Sequence, residues 1–231
     1  MKKFYQDFKL GVLGGGQLGR MLIQANTNFN VYTSVIDPDP NAPCKTIASE
    51  FQIGDIKDYE TVYNFGKTVD LLTIEIENVN IEALEQLEKE GIIVYPQPSV
   101  IKIIKDKRIQ KQFYRDHNIP TADFILTENK KAVLANQDFL PAFQKLGTGG
   151  YDGGGVQRLN SLNDIEKAFD SPSLLEKLID FDREISIVAA RNADGEIKVF
   201  PTVELVFNPE YNLVDYLIAV SYTHLRAHET R

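Results

Sequence analysis

Between Lys145 and Gly155 the chain reads Lys-Leu-Gly-Thr-Gly-Gly-Tyr-Asp-Gly-Gly-Gly, with six glycines around one lysine, one tyrosine and one aspartate. Glycine has no Cβ, so successive backbone N–H groups can close on an anion. A lysine at the base of such a loop adds a point charge suited to phosphate. Tyr151 and Asp152 set a hydroxyl and a carboxylate among the glycines, and a plain linker has use for neither. The run Phe139 to Phe143 before the loop and Val156-Gln-Arg-Leu159 after it have strand composition. Strand, mobile glycine loop, strand is the pattern of a flap over nucleotide phosphates. A long flexible hairpin has the same composition.

A second constellation lies near the start. Gly14-Gly-Gly-Gln-Leu-Gly19 matches G-x-G-x-x-G, with Asp37 about twenty residues on. That is the dinucleotide fingerprint, with Asp37 placed for a ribose hydroxyl. Strictly, it implies only a helix N-terminus open to a phosphate. Gln17 and Arg20 add a polar group and a cation, which suits a phosphorylated small molecule equally well. An NAD-linked oxidoreductase and a tight structural turn both stay open at this point.

Glu75 and Glu77 end an apolar strand, Asp70 to Ile76. Alternation puts both carboxylates on one face, where a ligand or cation must offset their desolvation. Lys107 and Arg108 open a helix and read as solvated. Glu176-Lys-Leu-Ile179 is a strand end whose backbone could meet a purine edge, with Glu184 placed for ribose hydroxyls. An ordinary strand and turn would look the same.

The elements that must position these residues follow from periodicity. Strands at 8–13, 31–36, 70–76 and 92–95 alternate with helices at 20–25, 58–67 and 81–90. This predicts βαβ units and a parallel sheet over residues 1–98. Helices are expected at 99–104 and 106–118. From Thr121 the pattern changes to short apolar runs beside turn signals, with helices only at 128–135 and 161–169. Asn192-Ala-Asp-Gly195 reads as a hairpin turn. Residues 99–218 are thus expected to form an α+β domain on an antiparallel sheet. The segment 219–231 has neither period, resembles a translated adapter read-through, and is set aside as a non-native tail.

The bulk properties narrow the classes. The chain has 231 residues, 43% hydrophobic, with net charge −8 and pI about 5.0. An acidic chain argues against nucleic-acid binding through a basic face. No apolar run reaches the roughly 18 residues of a membrane span, and the polar start does not read as a signal peptide. A single cysteine, Cys44, suits a reducing cytoplasm. His117 is the one histidine outside the tail, which leaves little for imidazole chemistry.

The order of the pieces carries a resemblance. Gly-Gly-Gly-Gln-Leu-Gly-Arg-Met, Thr-Ile-Glu-Ile-Glu-Asn-Val, Lys107, Lys145, the Gly-Gly-Tyr-Asp-Gly loop and Glu-Lys-Leu-Ile with Glu184 resemble the ATP-grasp enzymes over residues 8 to about 218. Within these they resemble the N5-carboxyaminoimidazole ribonucleotide synthetase family. The resemblance implies a Rossmann-like pre-ATP-grasp domain before an ATP-grasp domain. It implies ATP with Mg2+, and carboxylation of 5-aminoimidazole ribonucleotide by bicarbonate in purine synthesis, in a cytoplasmic homodimer. Carboxyphosphate would form first, and the ribonucleotide's amine would attack it or the CO2 it releases. Lys107 and Lys145 then look like the phosphate lysines, and Gly150, Tyr151, Asp152, Gly153, Gly154, Gly155 and Val156 like the closing loop. Asp152 with Tyr151 looks like the pair beside the reacting amine. Glu176, Lys177, Leu178 and Ile179 look like the adenine hinge, and Glu184 like the ribose acid. Gln17, Leu18, Arg20 and Glu75 look like the ribonucleotide side.

Three positions depart from the family pattern. Gly154 stands where Lys or Arg is usual, Gly147 where a basic residue is frequent, and Phe207 where many members have His. The first two are expected to weaken the loop's hold on phosphate or bicarbonate. The family's acidic metal ligands would lie beyond residue 218, so the chain is expected to lack a complete magnesium site and to be an inactive fragment. A nucleotide-binding module without catalysis is the third reading.

Overall fold

The computed structural model describes residues 7–150, 154–208 and 213–219. The first sheet comprises β1 (Lys9–Leu13), β2 (Tyr32–Asp37), β3 (Glu50–Ile53), β4 (Leu71–Ile74) and β5 (Ile93–Val94). All its pairings are parallel, in the order β3-β2-β1-β4-β5. β1 takes the centre because both of its faces are apolar. Leu13 joins the core with Ile36, Leu72, Leu84 and Leu87. Leu10 and Val12 face the other way, toward Ile23, Val35 and Cys44. Each fully buried leucine contributes about 1.5–3 kcal/mol. α1 (Gln17–Asn26) covers the second face; α2 (Tyr59–Gly66), α3 (Ile81–Lys89) and α4 (Pro98–Lys105) cover the first. Asp58 and Asn80 cap α2 and α3 through Thr61 N–H and Ala83 N–H. α4 docks through Ile101, which is fully buried in the first core.

α5 (Lys107–Asp116) follows at once, with Asp106 as its N-cap. The second sheet comprises β6 (Phe124–Thr127), β7 (Ala142–Leu146), β8 (Val156–Leu159) and β9 (Ser173–Lys177), in the antiparallel order β6-β9-β7-β8. α6 (Lys130–Ala135) packs on one face through Val133, over Ala142, Leu159 and Leu175. Gln144 is fully buried but satisfied: it donates to Phe169 O and Ser173 Oγ and accepts from Phe169 N–H and Gln157 Nε2. That knot fixes β7 to its neighbours and orients the opposite face, which α5 covers.

The expectations for fold class and element order hold, with differences of detail. β3 is an edge strand not foreseen. The helix expected at 161–169 is a 3-10 turn, Leu162–Lys167. One of the short apolar runs, Glu184 to Ala190, is broken into β10 (Glu184–Ser186) and β11 (Ala189–Arg191). β11 pairs with β12 (Ile197–Val199) across the Asn192–Gly195 turn, as expected. β10 instead pairs with β13 (Val203–Phe207), which pairs with β14 (Val214–Ala219). Two partners in different sheets require the break.

Candidate functional site

In the first sheet the chain runs outward from β1 to β3 on one side and through β4 to β5 on the other. The crevice beyond the carboxyl ends of β1 and β4 is therefore the switch point where ligands bind in open α/β sheets. Gly14 to Gly16 leave β1 there, and Glu75 leaves β4. Gly14 has φ +98°, and a Cβ on it would stand 2.8 Å from a Glu75 carboxylate oxygen. A Cβ on Gly16 would stand 2.6 Å from the other. Only glycine admits the Glu75 carboxylate so close to the N-terminus of α1, which has no side-chain cap. Gln17, Leu18 and Arg20 project from that first turn and are exposed.

Asp37 does not point outward. Its Oδ2 accepts from Gly15 N–H at 2.6 Å and its Oδ1 from Asp39 N–H at 2.7 Å. The ribose role read from the dinucleotide fingerprint is thereby corrected: the carboxylate is spent on shaping the glycine turn. A pyrophosphate at this turn would also meet the Glu75 carboxylate. Buried Cys44 lies beneath, its thiol pushed up to about 11 by burial and by the charges of Glu75 and Asp37, partly opposed by Arg20. The expected strand through Ile76 is shorter. β4 stops at Ile74, because a tight turn with Val79 N–H on Glu77 O follows. Glu75 is thus not paired with Glu77 on a regular strand face.

The second constellation is built on β7, β9 and α5. In the register, Lys145 lies opposite Leu174 and Phe143 opposite Glu176. Lys145 and Glu176 are therefore diagonal neighbours on one face. Lys145 Nζ meets Glu176 Oε1 at 2.5 Å, and Lys111 Nζ meets Oε2 at 2.5 Å from the other side. Lys107 precedes Lys111 by one helical turn on the same face of α5. Among the described residues its ammonium has no ion-pair partner. Burial pushes Glu176 up, and the bonds and charges of Lys111 and Lys145 more than reverse it, so its carboxyl lies below the usual range. In an acidic chain, this spot sets two lysines on one carboxylate, with a third lysine one helical turn away.

The glycine loop rises from this floor. It connects β7 to β8 as expected, with Lys145 opposite Val156 and Leu146 N–H on Gly155 O at 2.8 Å. Gly149 and Gly155 have φ of +80° and +83°. A Cβ on Gly150 would stand 2.6 Å from Gly154 O, so the neck of the loop is pinched backbone to backbone. Tyr151, Asp152 and Gly153 lie outside the described residues. At the base, Lys107 N–H donates to Gly147 O at 2.8 Å, tying α5 to the loop. A Cβ on Gly147 would stand 2.6 Å from Arg108 Nε. Arg108 is held by Asp106 at 2.7 Å, with Glu128 at 3.6 Å. Arg108 is therefore not a solvated surface residue, and the cation missing at position 147 is matched by a guanidinium lying against it.

The expected hinge separates by face. Glu176 turns to the lysines. Lys177 turns the other way, donating to Phe139 O at 2.9 Å and lying 4.8 Å from that ring's centre. Leu178 and Ile179 pass beyond the end of β9, with Ile179 exposed. Glu184 begins β10 and is exposed. Phe207 ends β13, half-buried. Lys111 and Asp106 were not singled out. The signal available was the i, i+4 spacing of Lys107 and Lys111. Lys105, at the end of α4, donates to Val79 O at 3.0 Å, past the end of β4.

Among the described residues no three His, Cys, Asp or Glu side chains gather closely enough to hold a metal ion. Magnesium finds no donor set among them. No helix among them is long and apolar enough to cross a membrane.

Residues 8–105 match the family described as "Ribonucleotide synthetase preATP-grasp domain", and residues 112–220 match the ATP-grasp domain. A phosphoribosylaminoimidazole carboxylase of Candida glabrata is 35% identical over 208 residues, covering 85% of this chain and 36% of the relative. An N5-carboxyaminoimidazole ribonucleotide synthase of Pseudomonas aeruginosa is 36% identical over 201 residues, covering 84% and 55%. A carboxyaminoimidazole ribonucleotide synthase from Aspergillus clavatus, solved with ATP, superposes with TM-score 0.85 at 33% identity, covering 96% of this chain and 61% of that one. A structure from the same organism with ADP and 5-aminoimidazole ribonucleotide has TM-score 0.82 at 31% identity, covering 96% and 60%. The chain spans only 36% to 56% of the length of the first curated relatives it matches.

Proposed function

Since this chain belongs to the ATP-grasp family, we propose that it binds ATP between the glycine hairpin and the lysine-lined face of β7, β9 and α5. We propose further that it serves the ATP-dependent carboxylation of 5-aminoimidazole ribonucleotide by bicarbonate. The observation that carries the reading is Lys111 and Lys145 on the two oxygens of Glu176, with Lys107 one turn away on the same face of α5, at the foot of a glycine-rich loop. Such a floor offsets the charge of a polyphosphate, and closure of the loop over it excludes water.

In this reading residues 99–218 hold the nucleotide and residues 1–98 the ribonucleotide. Leu178 and Ile179 offer backbone to the purine edge, and Glu184 takes ribose hydroxyls. At the switch point Gln17, Arg20 and the backbone at Leu18 face the ribonucleotide phosphate. Glu75 accepts from the ligand's amine or hydroxyls. The resemblance assigns Asp152 and Tyr151 to the reacting amine. Magnesium would neutralise charge on the phosphates, held by groups outside the set described. The resemblance also supports a cytoplasmic homodimer; light scattering on the purified protein tests the dimer.

Calorimetry tests the nucleotide assignment. ATP is expected to bind and NAD not to, with ATP affinity lowered at least tenfold in Lys145→Ala. Tight NAD binding that Asp37→Ala abolishes would establish the dehydrogenase instead.

A further inference from the structure

Lys111 is buried more deeply than a helix-surface lysine needs to be. Its side chain is 13% exposed and Glu176's is 14%, while that of Lys145 is 28%. Beyond Glu176, Lys111 also reaches Thr121 Oγ1 and lies 5.9 Å from the centre of the Phe124 ring. These contacts hold its ammonium inside the wall of the site, behind Glu176 as seen from Lys145. Each lysine takes a different oxygen of the same carboxylate.

Consider the clamp without Lys111. Glu176 and Lys145 would then form a neutral pair. For Lys145 to turn toward a phosphate, it would have to leave a half-buried carboxylate with no counter-charge, and breaking such a pair is costly. The bare carboxylate would also repel the phosphate. With Lys111 present, Glu176 stays neutralised when Lys145 leaves, and the group as a whole remains cationic.

Resting on the ATP reading above, we propose that Lys111 is a positioning residue. It touches no nucleotide, holds Glu176 in place, and lets Lys145 exchange that carboxylate for a phosphate oxygen. The reason is chemical and specific to anions, so a ligand without phosphates should not sense it.

The test uses the whole chain with ATP and adenosine as probes, by calorimetry. Lys111→Met is expected to weaken ATP about tenfold and to change adenosine affinity less than twofold. In a Glu176→Gln background, where Lys145 has no carboxylate to leave, the same change is expected to cost ATP less than threefold. Lys111→Arg should recover most of the loss. An undiminished tenfold loss in the Glu176→Gln background would mean that Lys111 contacts phosphate directly, and would overturn the proposal. Equal losses for ATP and adenosine would mean a merely structural role, and would overturn it too. If Lys111→Met does not fold, Lys111→Gln removes the charge while keeping donors for Glu176 and Thr121, and is judged by the same outcomes. Failure of the unaltered chain to bind ATP would instead remove the nucleotide reading, and this inference with it.

Discussion

Asp37 shows how one carboxylate can be placed correctly by spacing and misread in role. Its position at the end of β2 is legible from the fingerprint. Whether its oxygens face a ribose or the preceding glycine turn depends on a rotamer, which spacing does not encode. Because it accepts two backbone N–H bonds, Asp37→Ala should destabilise the fold by about 2 kcal/mol, with Asp37→Asn costing less; urea unfolding measures both. Cys44 beneath it is fully buried with its thiol held protonated, since burial and two carboxylates oppose the thiolate. It should resist iodoacetamide at pH 8 in the folded chain and react readily once unfolded; a rate in the folded chain equal to that of a free thiol would contradict the packing. Lys111 was illegible for a different reason. Its partner Glu176 is distant in sequence, and a lysine inside the polar run from Lys107 to Asp116 reads as solvated until the sheet register is known.

At the scale of elements, periodicity was a good guide wherever an element buries a full face. The strands β1 and β2 and the helices α2 and α3 are legible because burial dictates their spacing. Where pairing with a distant partner decides, the sequence was silent. β3 is a four-residue edge, and β10 and β11 divide one apolar run because their partners belong to different sheets. The α2–α3 contact gives a sharp test of packing. A Cβ on Gly66 would stand 2.3 Å from Leu87 Cδ1 and 2.9 Å from Cδ2, and Leu87 is fully buried. Leu87 has no room to give, so Gly66→Ala should cost about 1–3 kcal/mol by overpacking, despite alanine's better helix propensity. A Gly66→Ala chain that melts at or above the parent temperature would show that α2 and α3 pack less closely than described.

For the molecule as a whole, the charge network predicts how stability depends on pH. Asp106 is raised by burial, but the hydrogen bonds and charge of Arg108 bring it below its ordinary value, and Glu176 behaves alike. On the surface, the Lys67 hydrogen bond leads those of Gln86 and Tyr63 in bringing Glu90 down to about 2. All three are lowered on folding, so the unfolded chain binds more protons as acid is added. Their contribution is intact above the unfolded values, near 4, and is lost as pH falls through that range toward the lowered ones. The urea midpoint should therefore be flat with respect to these groups from pH 7 to about 5 and fall below about 4.5. Raised salt should trim the part due to exposed Glu90 and spare the part due to Glu176. The combination Asp106→Asn with Glu176→Gln should flatten the acid limb; a limb unchanged in that variant would place the titrating groups elsewhere.

The contact between Gly147 and Arg108 bears on how such chains can diverge. The space that a Cβ would need at 147 is filled by the guanidinium from 108, so a side chain can be gained at 147 only where that guanidinium gives way. A lineage that gains a side chain at 147 must first, or at the same time, shorten or move the one at 108, and one that gains a long side chain at 108 must likewise have a small residue at 147. Across homologues the two sites should therefore covary as alternatives, a long cation at one and a small residue at the other. The basic charge beside the loop would be inherited as a property of the pair, while the residue that supplies it changes hands.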